Sequence, residues 1–339
     1  NGLINHENIP VPSHPPKTTK SRNLKIGIPA STDVDATVER CTQLGVDTVF
    51  VSCASLPGYK ERGYPDLNAL RELKEGLEQR GIAVPSATYW FAKWPVRPWR
   101  DGSTNPDILL TRDRVCIDAM KRMIECLGEV GITSVLHYVD LGRPLDPADE
   151  VACWDGLIGI YEELIPVAES YGIGIGNHSL HRLLADGVRE KAVAAGVRIE
   201  DYDSYAAEGW GGPFLVGNWK ELTRLVDAVP SPSNGVTLCT GMDIPGGDVP
   251  SLVRTFAEKI HFCQLRDHTD RWPEGREVLP GEGCVDLAGI VSALDDVGYT
   301  GIAHPEHLGK PTSPSDRLAE AISTIRPLLE TTSGGSLSA

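Results

Sequence analysis

Four segments of the chain end in side chains able to hold a metal ion: His178, Cys239, the stretch Gln264–Asp267, and His304 with Glu306 and His307. Imidazole, thiolate and carboxylate together suit a borderline divalent cation, and such a cation polarises the oxygens of a bound substrate. Taken singly the residues argue for little, because a lone strand histidine or buried cysteine is commonly a packing residue. Their value is positional. Each stands at the end of a short apolar run, so a fold that gathers the ends of those runs gathers these side chains.

The runs that must position them recur eight times. Apolar, β-branched stretches occupy Leu24–Pro29, Asp47–Cys53, Ala83–Tyr89, Ser134–Asp140, Gly172–His178, Gly235–Gly241, Lys259–Asp267 and Gly301–His307. Helical patterns with charged faces follow most of them, among them Asp33–Leu44, Leu67–Arg80, Arg112–Val130, Trp154–Tyr171, Trp219–Val229 and Ser315–Leu329. Gly45, Gly81, Gly131, Gly172 and Gly298 stand where the preceding helix must close. Eight βα units with few additions predict an α/β fold, a closed (β/α)8 TIM barrel spanning residues 24–330. The alternative, an open doubly wound sheet, lacks a Gly-rich phosphate loop after its first strand.

Alternation within the strands sets direction. Ile173 and Ile175 are expected against the helices, with Gly174, Gly176 and His178 facing inward. Val236 and Leu238 likewise oppose Thr237 and Cys239. His178 and Cys239 then stand at the carboxyl rim, where such barrels build their active sites. His261 has the opposite parity to Gln264 and lies roughly 16 Å along the strand from Arg266, so it is expected to be structural.

Composition limits the partners. The formal net charge of -15 argues against nucleic acid and against anionic membranes. An acidic substrate still fits if a metal and an arginine supply local positive charge. No apolar run reaches membrane-spanning length and no signal-peptide core is seen, so a cytoplasmic location is expected. The eight cysteines form no C-x-x-C pair and read as buried reduced thiols. Residues 1–23 are Pro-, Lys- and Ser-rich and are expected to form an arm; residues 331–339 are small and polar and are expected to fray.

Three segments carry a resemblance: Gly235-Val-Thr-Leu-Cys-Thr-Gly241, Lys259-Ile-His-Phe-Cys-Gln-Leu-Arg-Asp267 and Gly298-Tyr-Thr-Gly-Ile-Ala-His-Pro-Glu-His307. They resemble the mannonate dehydratase family, part of the xylose-isomerase-like barrel group. The resemblance implies a manganese-type ion (Mg2+, Co2+ or Zn2+ being alternatives) held by His178, Cys239, the position of Gln264, and Glu306. Gln264 departs from the family, which has histidine there; an amide oxygen ligates more weakly than imidazole. Glu306 replaces an aspartate. The resemblance further implies that His307 handles a proton and that Arg266 pairs with a substrate carboxylate.

His304 shares a face with Glu306 but lies deeper, as a reserve ligand or substrate contact. Trp90, in the aromatic segment Tyr89–Trp99, and Tyr138 and Asp140, at the end of the fourth strand, are candidate substrate contacts. After His178 the chain reads Ser179-Leu-His181-Arg182 where the family has Asp-Asp-Pro-Pro, and no tyrosine occurs in Lys310–Arg326 where the family places one. The expected activity is metal-dependent dehydration of an aldonate to a 2-keto-3-deoxy acid. The alternatives are a sugar isomerase, epimerase or C-glycoside-cleaving enzyme of the same group, and a catalytically idle sugar-binding or scaffold barrel. The expected partner is a small sugar or sugar acid. Barrels of this group often pair, so a homo-oligomer is also among the expectations.

Overall fold

The computed structural model describes residues 24–90, 108–139, 147–179, 215–216, 219–241, 248–270, 277–309 and 316–330. The expected arm and tail lie outside them. Eight parallel strands close on themselves: β1 (Lys25–Pro29), β2 (Thr48–Ser52), β3 (Ala83–Trp90), β4 (Ser134–Val139), β5 (Gly174–Ser179), β6 (Asn234–Cys239), β7 (Ile260–Leu265) and β10 (Ile302–Pro305), the last pairing with β1. Two short strands, β8 (Asp267–His268) and β9 (Glu277–Val278), form a separate antiparallel pair after β7. The seventh run, expected as one strand to Asp267, therefore breaks after Leu265.

The surrounding helices are α1 (Val34–Leu44), α2 (Tyr59–Arg62), α3 (Leu67–Gln79), α4 (Ile108–Thr111), α5 (Arg114–Glu129), α6 (Glu150–Tyr171), α7 (Trp219–Ala228), α8 (Val249–Phe256), α9 (Leu287–Asp296) and α10 (Arg317–Glu330). Aspartates open several of them. Asp33 accepts from the Ala36 N–H, and Asp66 and Asp113 each accept two amides of the next turn. Such caps satisfy donors that have no partner inside the helix. Gly45 and Gly172 close α1 and α6 in the left-handed region, at φ 62° and 65°, as expected of glycine there.

The barrel interior is layered. Phe50, Leu136, Phe262 and Ile302, from four different strands, form a buried apolar plug, with the Phe50 and Phe262 rings edge to face at 5.3 Å. A much larger apolar layer packs strands against helices and holds Ile173, Ile175, Val236 and Leu238, the residues expected there. All eight cysteines are free and seven are buried. Among the described residues no helix is long and apolar enough to cross a membrane.

One expectation about direction fails. The β6–β7 register slips between Val236, opposite Ile260, and Thr237, opposite Phe262. That irregularity releases His261 from the strand's alternation. Its imidazole lies over Gly174 and Gly235, where any Cβ would overlap the ring, and its Cβ would be 3.4 Å from a Cβ on Gly176. His261 thus shares the interior with Gly176 and Phe262, below the plug.

Candidate active site

The carboxyl mouth lies above the plug. Strand register builds one of its rows directly: Cys239 is opposite Gln264, and Gln264 is opposite His304. His178 stands next to last in β5, two residues beyond Gly176, and Glu306 follows β10 with its amide bonded to the Leu265 carbonyl at 3.1 Å. His178, Cys239 and Gln264 are all buried.

The Cys-Thr-Gly segment at the end of β6 has a separate use for each residue. Cys239 presents its thiol 3.6 Å from Nη1 of Arg266. Thr240 clamps the end of β7: its Oγ1 donates to the Arg266 carbonyl and accepts from the Arg266 amide, each at 2.6 Å. Gly241 leaves room for the guanidinium, since a Cβ there would stand 2.5 Å from Arg266 Nε. Burial pushes the Cys239 thiol pKa up, and the nearby Arg266 charge opposes that rise.

Arg266 has Asp267 as its nearest acidic neighbour along the chain. The structure pairs it with Glu277 on β9, and the pair is buried. Asp267 instead accepts four backbone N–H groups. Those of His268 and Val285 reach Oδ1, and those of Gly281 and Gly283 reach Oδ2. It therefore pins the loop that returns from β9.

His307 also meets Glu277. Its Nδ1 donates to Glu277 Oε2 at 3.0 Å, and its Nε2 stands 3.9 Å from Glu306 Oε2. Its backbone is left-handed, at φ 53°, which costs a non-glycine residue ~1 kcal/mol. Burial lowers the His307 pKa, and so do the Arg266 and His178 charges; Glu306 and Cys239 oppose them. The same four side chains thus all act on His307.

The ring of His304 packs on Phe50 with centroids 4.8 Å apart, and its Nδ1 lies 3.0 Å from the Gly27 carbonyl oxygen. Burial lowers its pKa as well. Asp140, the segment 91–99, the stretch 180–182, and the side chains of Trp90, Tyr138 and Ser179 lie outside the described residues. Tyr89, which begins the aromatic segment, is buried against His137 rather than on the rim. Glu277 is the residue that sequence reasoning missed. It sits in a connecting hairpin without periodicity, and only its distance from Arg266 in space reveals it.

The donor types at this mouth, imidazole, thiolate, amide oxygen and carboxylate, fit a borderline divalent ion. Their placement is open. Among the described residues no three His, Cys, Asp or Glu side chains stand close enough to hold an ion between them. The side chains share a mouth and an electrostatic neighbourhood, and Arg266 takes up the Cys239 thiol.

The chain belongs to the xylose isomerase-like TIM barrel family, whose model matches residues 38–328. The curated relatives it matches include mannonate dehydratases. Mannonate dehydratase 1 of Halalkalibacterium halodurans is 31% identical over 160 residues, 45% of this chain and 38% of that protein. The aligned region thus spans well under half the length of that relative. Among solved structures, mannonate dehydratase from Streptococcus suis serotype 2 superposes with a TM-score of 0.65 at 17% identity, covering 91% of this chain and 94% of that one. A protein named IOLI, with a binding zinc atom, superposes at 0.59 and 18% identity over 90% of this chain and 96% of its own. At those identities the superpositions show the fold.

Proposed function

We propose that this barrel is a divalent-metal-dependent lyase that dehydrates a small sugar acid, an aldonate, to a 2-keto-3-deoxy acid. The observation that carries the reading is the Cys-Thr-Gly end of β6. It sets a buried thiol against the Arg266 guanidinium beside Glu306 and His307. The likeness of this chain to proteins named mannonate dehydratase supports it.

His178, Cys239, Gln264 and Glu306 would hold the ion, manganese being the first expectation, once drawn closer together than they stand here. When bound, it supplies a Lewis acid that polarises the substrate carboxylate. The chain's own residues do the rest. Arg266 offers a planar fork that suits a carboxylate and helps acidify the adjacent C–H. In net the C2 proton and the C3 hydroxyl are lost as one water, the C2 proton replacing the one His307 gives, and the enol so formed tautomerises to the 2-keto acid. His307 gives the proton that lets the C3 hydroxyl depart, with Nε2 as the nitrogen not engaged by Glu277. The plug of Phe50, Leu136, Phe262 and Ile302 closes the floor against water from the opposite mouth.

A second reading is an isomerase, epimerase or C-glycoside-cleaving enzyme of the same group. Gln264 favours it, because an amide oxygen where the resemblance expects imidazole departs from the strict dehydratase ligand set. The experiment is to load the purified protein with manganese and offer mannonate and other aldonates, then keto sugars and C-glycosides. A 2-keto-3-deoxy product supports the dehydratase, and turnover of only the second group selects the alternative. No bound metal and no turnover would leave an idle sugar-binding barrel.

A further inference from the structure

Two residues given roles above, Arg266 and His307, come from different strand ends and would be expected to move independently. They do not, because one carboxylate holds both. Glu277 pairs with Arg266 through one oxygen and accepts from His307 Nδ1 through the other, at 3.0 Å. The Glu277 side chain is 12% exposed, so the pairing is not screened as a surface ion pair would be.

The backbone around it is fixed from three sides. β9 pairs with β8 through Val278–Asp267 and Glu277–His268. Asp267 anchors the loop that follows through its four amide bonds. The segment carrying His307 packs on the same strand, since a Cβ on Gly309 would stand 2.7 Å from the Glu277 carbonyl oxygen. That segment is tied down further by Arg317, which donates to the Leu308 carbonyl at 2.8 Å.

We propose that Glu277 is a positioning residue that fixes which nitrogen of His307 faces the mouth while holding the Arg266 guanidinium in place. An ionised carboxylate only accepts hydrogen bonds, so the contact requires a hydrogen on Nδ1. Nε2 is then the nitrogen left for chemistry, with Nδ1 turned toward Glu277. The arrangement follows a general pattern in which a carboxylate behind a working histidine sets its tautomer and orientation.

This inference rests on the dehydratase reading for what His307 does, but its primary test does not. In protein with 15N-labelled histidine, the His307 resonances, assigned by their loss in His307→Gln, should report a hydrogen on Nδ1. In Glu277→Gln, whose amide can also donate, the Nδ1–H population should fall to a mixture. Glu277→Asp should restore part of it. Melting temperature and circular dichroism identify which variants are folded, and Glu277→Asp carries the test if Glu277→Gln is not. His307 resonances that are the same in wild type and in a folded Glu277→Gln would overturn the proposal, as would an unprotonated Nδ1 in wild type.

A second measurement uses turnover of the aldonate. Glu277→Gln should lower kcat roughly 10- to 100-fold, the usual cost of removing such a partner, with a smaller change in KM. An unchanged kcat would also overturn the proposal. Wild-type protein inert toward aldonates, with the His307 Nδ1–H present and lost in Glu277→Gln, would sink the dehydratase reading and leave Glu277's role standing.

Discussion

The two ends of the barrel interior treat a histidine in opposite ways. At the amino mouth His261 lies over two glycines, hydrogen-bonded to the Pro232 backbone, and burial lowers its pKa to about 4. A cavity of about 710 Å³ lies there, lined by His261, Lys25, Ser86, Ser134 and Tyr299 among others. At the carboxyl mouth His307 is pressed between Glu277 and Glu306, with Arg266, Cys239 and His178 acting on it. The plug of four apolar side chains separates the two. The lesson is that burial alone makes a histidine neutral and inert. Chemistry needs other charged groups converging from separate strands.

That contrast can be broken most severely at the ligand positions. On the proposed reading, Cys239→Ala and Glu306→Ala each abolish manganese binding, measured by elemental analysis and calorimetry, while circular dichroism stays native. Normal metal content in both variants would remove these residues from the ligand set. Next in size is His307→Ala, which should retain metal and lose activity by roughly 10²- to 10⁴-fold, the usual contribution of a proton-transfer group. Full turnover by that variant would reduce His307 to a rim residue and erase the difference between the two mouths.

Much of this contrast is legible in the sequence. All eight barrel strands fall within a few residues of their apolar runs, because β-branched alternation and helix-closing glycines are local signals. Placing Cys239 and His178 at strand ends required only the period of two. What escaped depended on pairing between distant segments. The slip opposite Val236 reversed the direction expected of His261, and no residue type marks it. Glu277 lies between residues 271–276, which are undescribed, and the loop pinned by Asp267; its partners are 11 and 30 positions away in sequence. Separations of that kind are set by how the hairpin folds back, which composition does not encode. Arg266 was legible from its motif, but its buried protein partner is the acid on β9 and not the adjacent Asp267.

The amino mouth yields the smaller predictions. Gly235→Ala should destabilise the fold by roughly 1–3 kcal/mol, the cost of overpacking a filled interior, because a Cβ there meets both the Lys259 carbonyl and the His261 ring. Urea denaturation checks it. A cost near zero would mean that the imidazole moves aside freely into the neighbouring cavity, and that His261 is not fixed over Gly174 and Gly235.

The smallest effect concerns the charge that His261 does not carry. An unfolded histidine titrates near 6.5, and in the fold burial lowers that value to about 4. A folded pKa below the unfolded one means that the unfolded chain binds more protons in between. The stabilisation is therefore complete above about pH 6.5 and declines as pH falls toward 4. Acid also protonates carboxylates, and His137, lowered to about 3 by burial, adds a slope of the same sign. The useful quantity is therefore the difference between wild type and His261→Gln, which keeps an N–H donor but does not titrate. Between pH 6 and pH 5 the wild type should lose about 1 kcal/mol more than the variant. Parallel pH profiles would show that His261 titrates as an exposed histidine does, the cavity beside it carrying water to the ring.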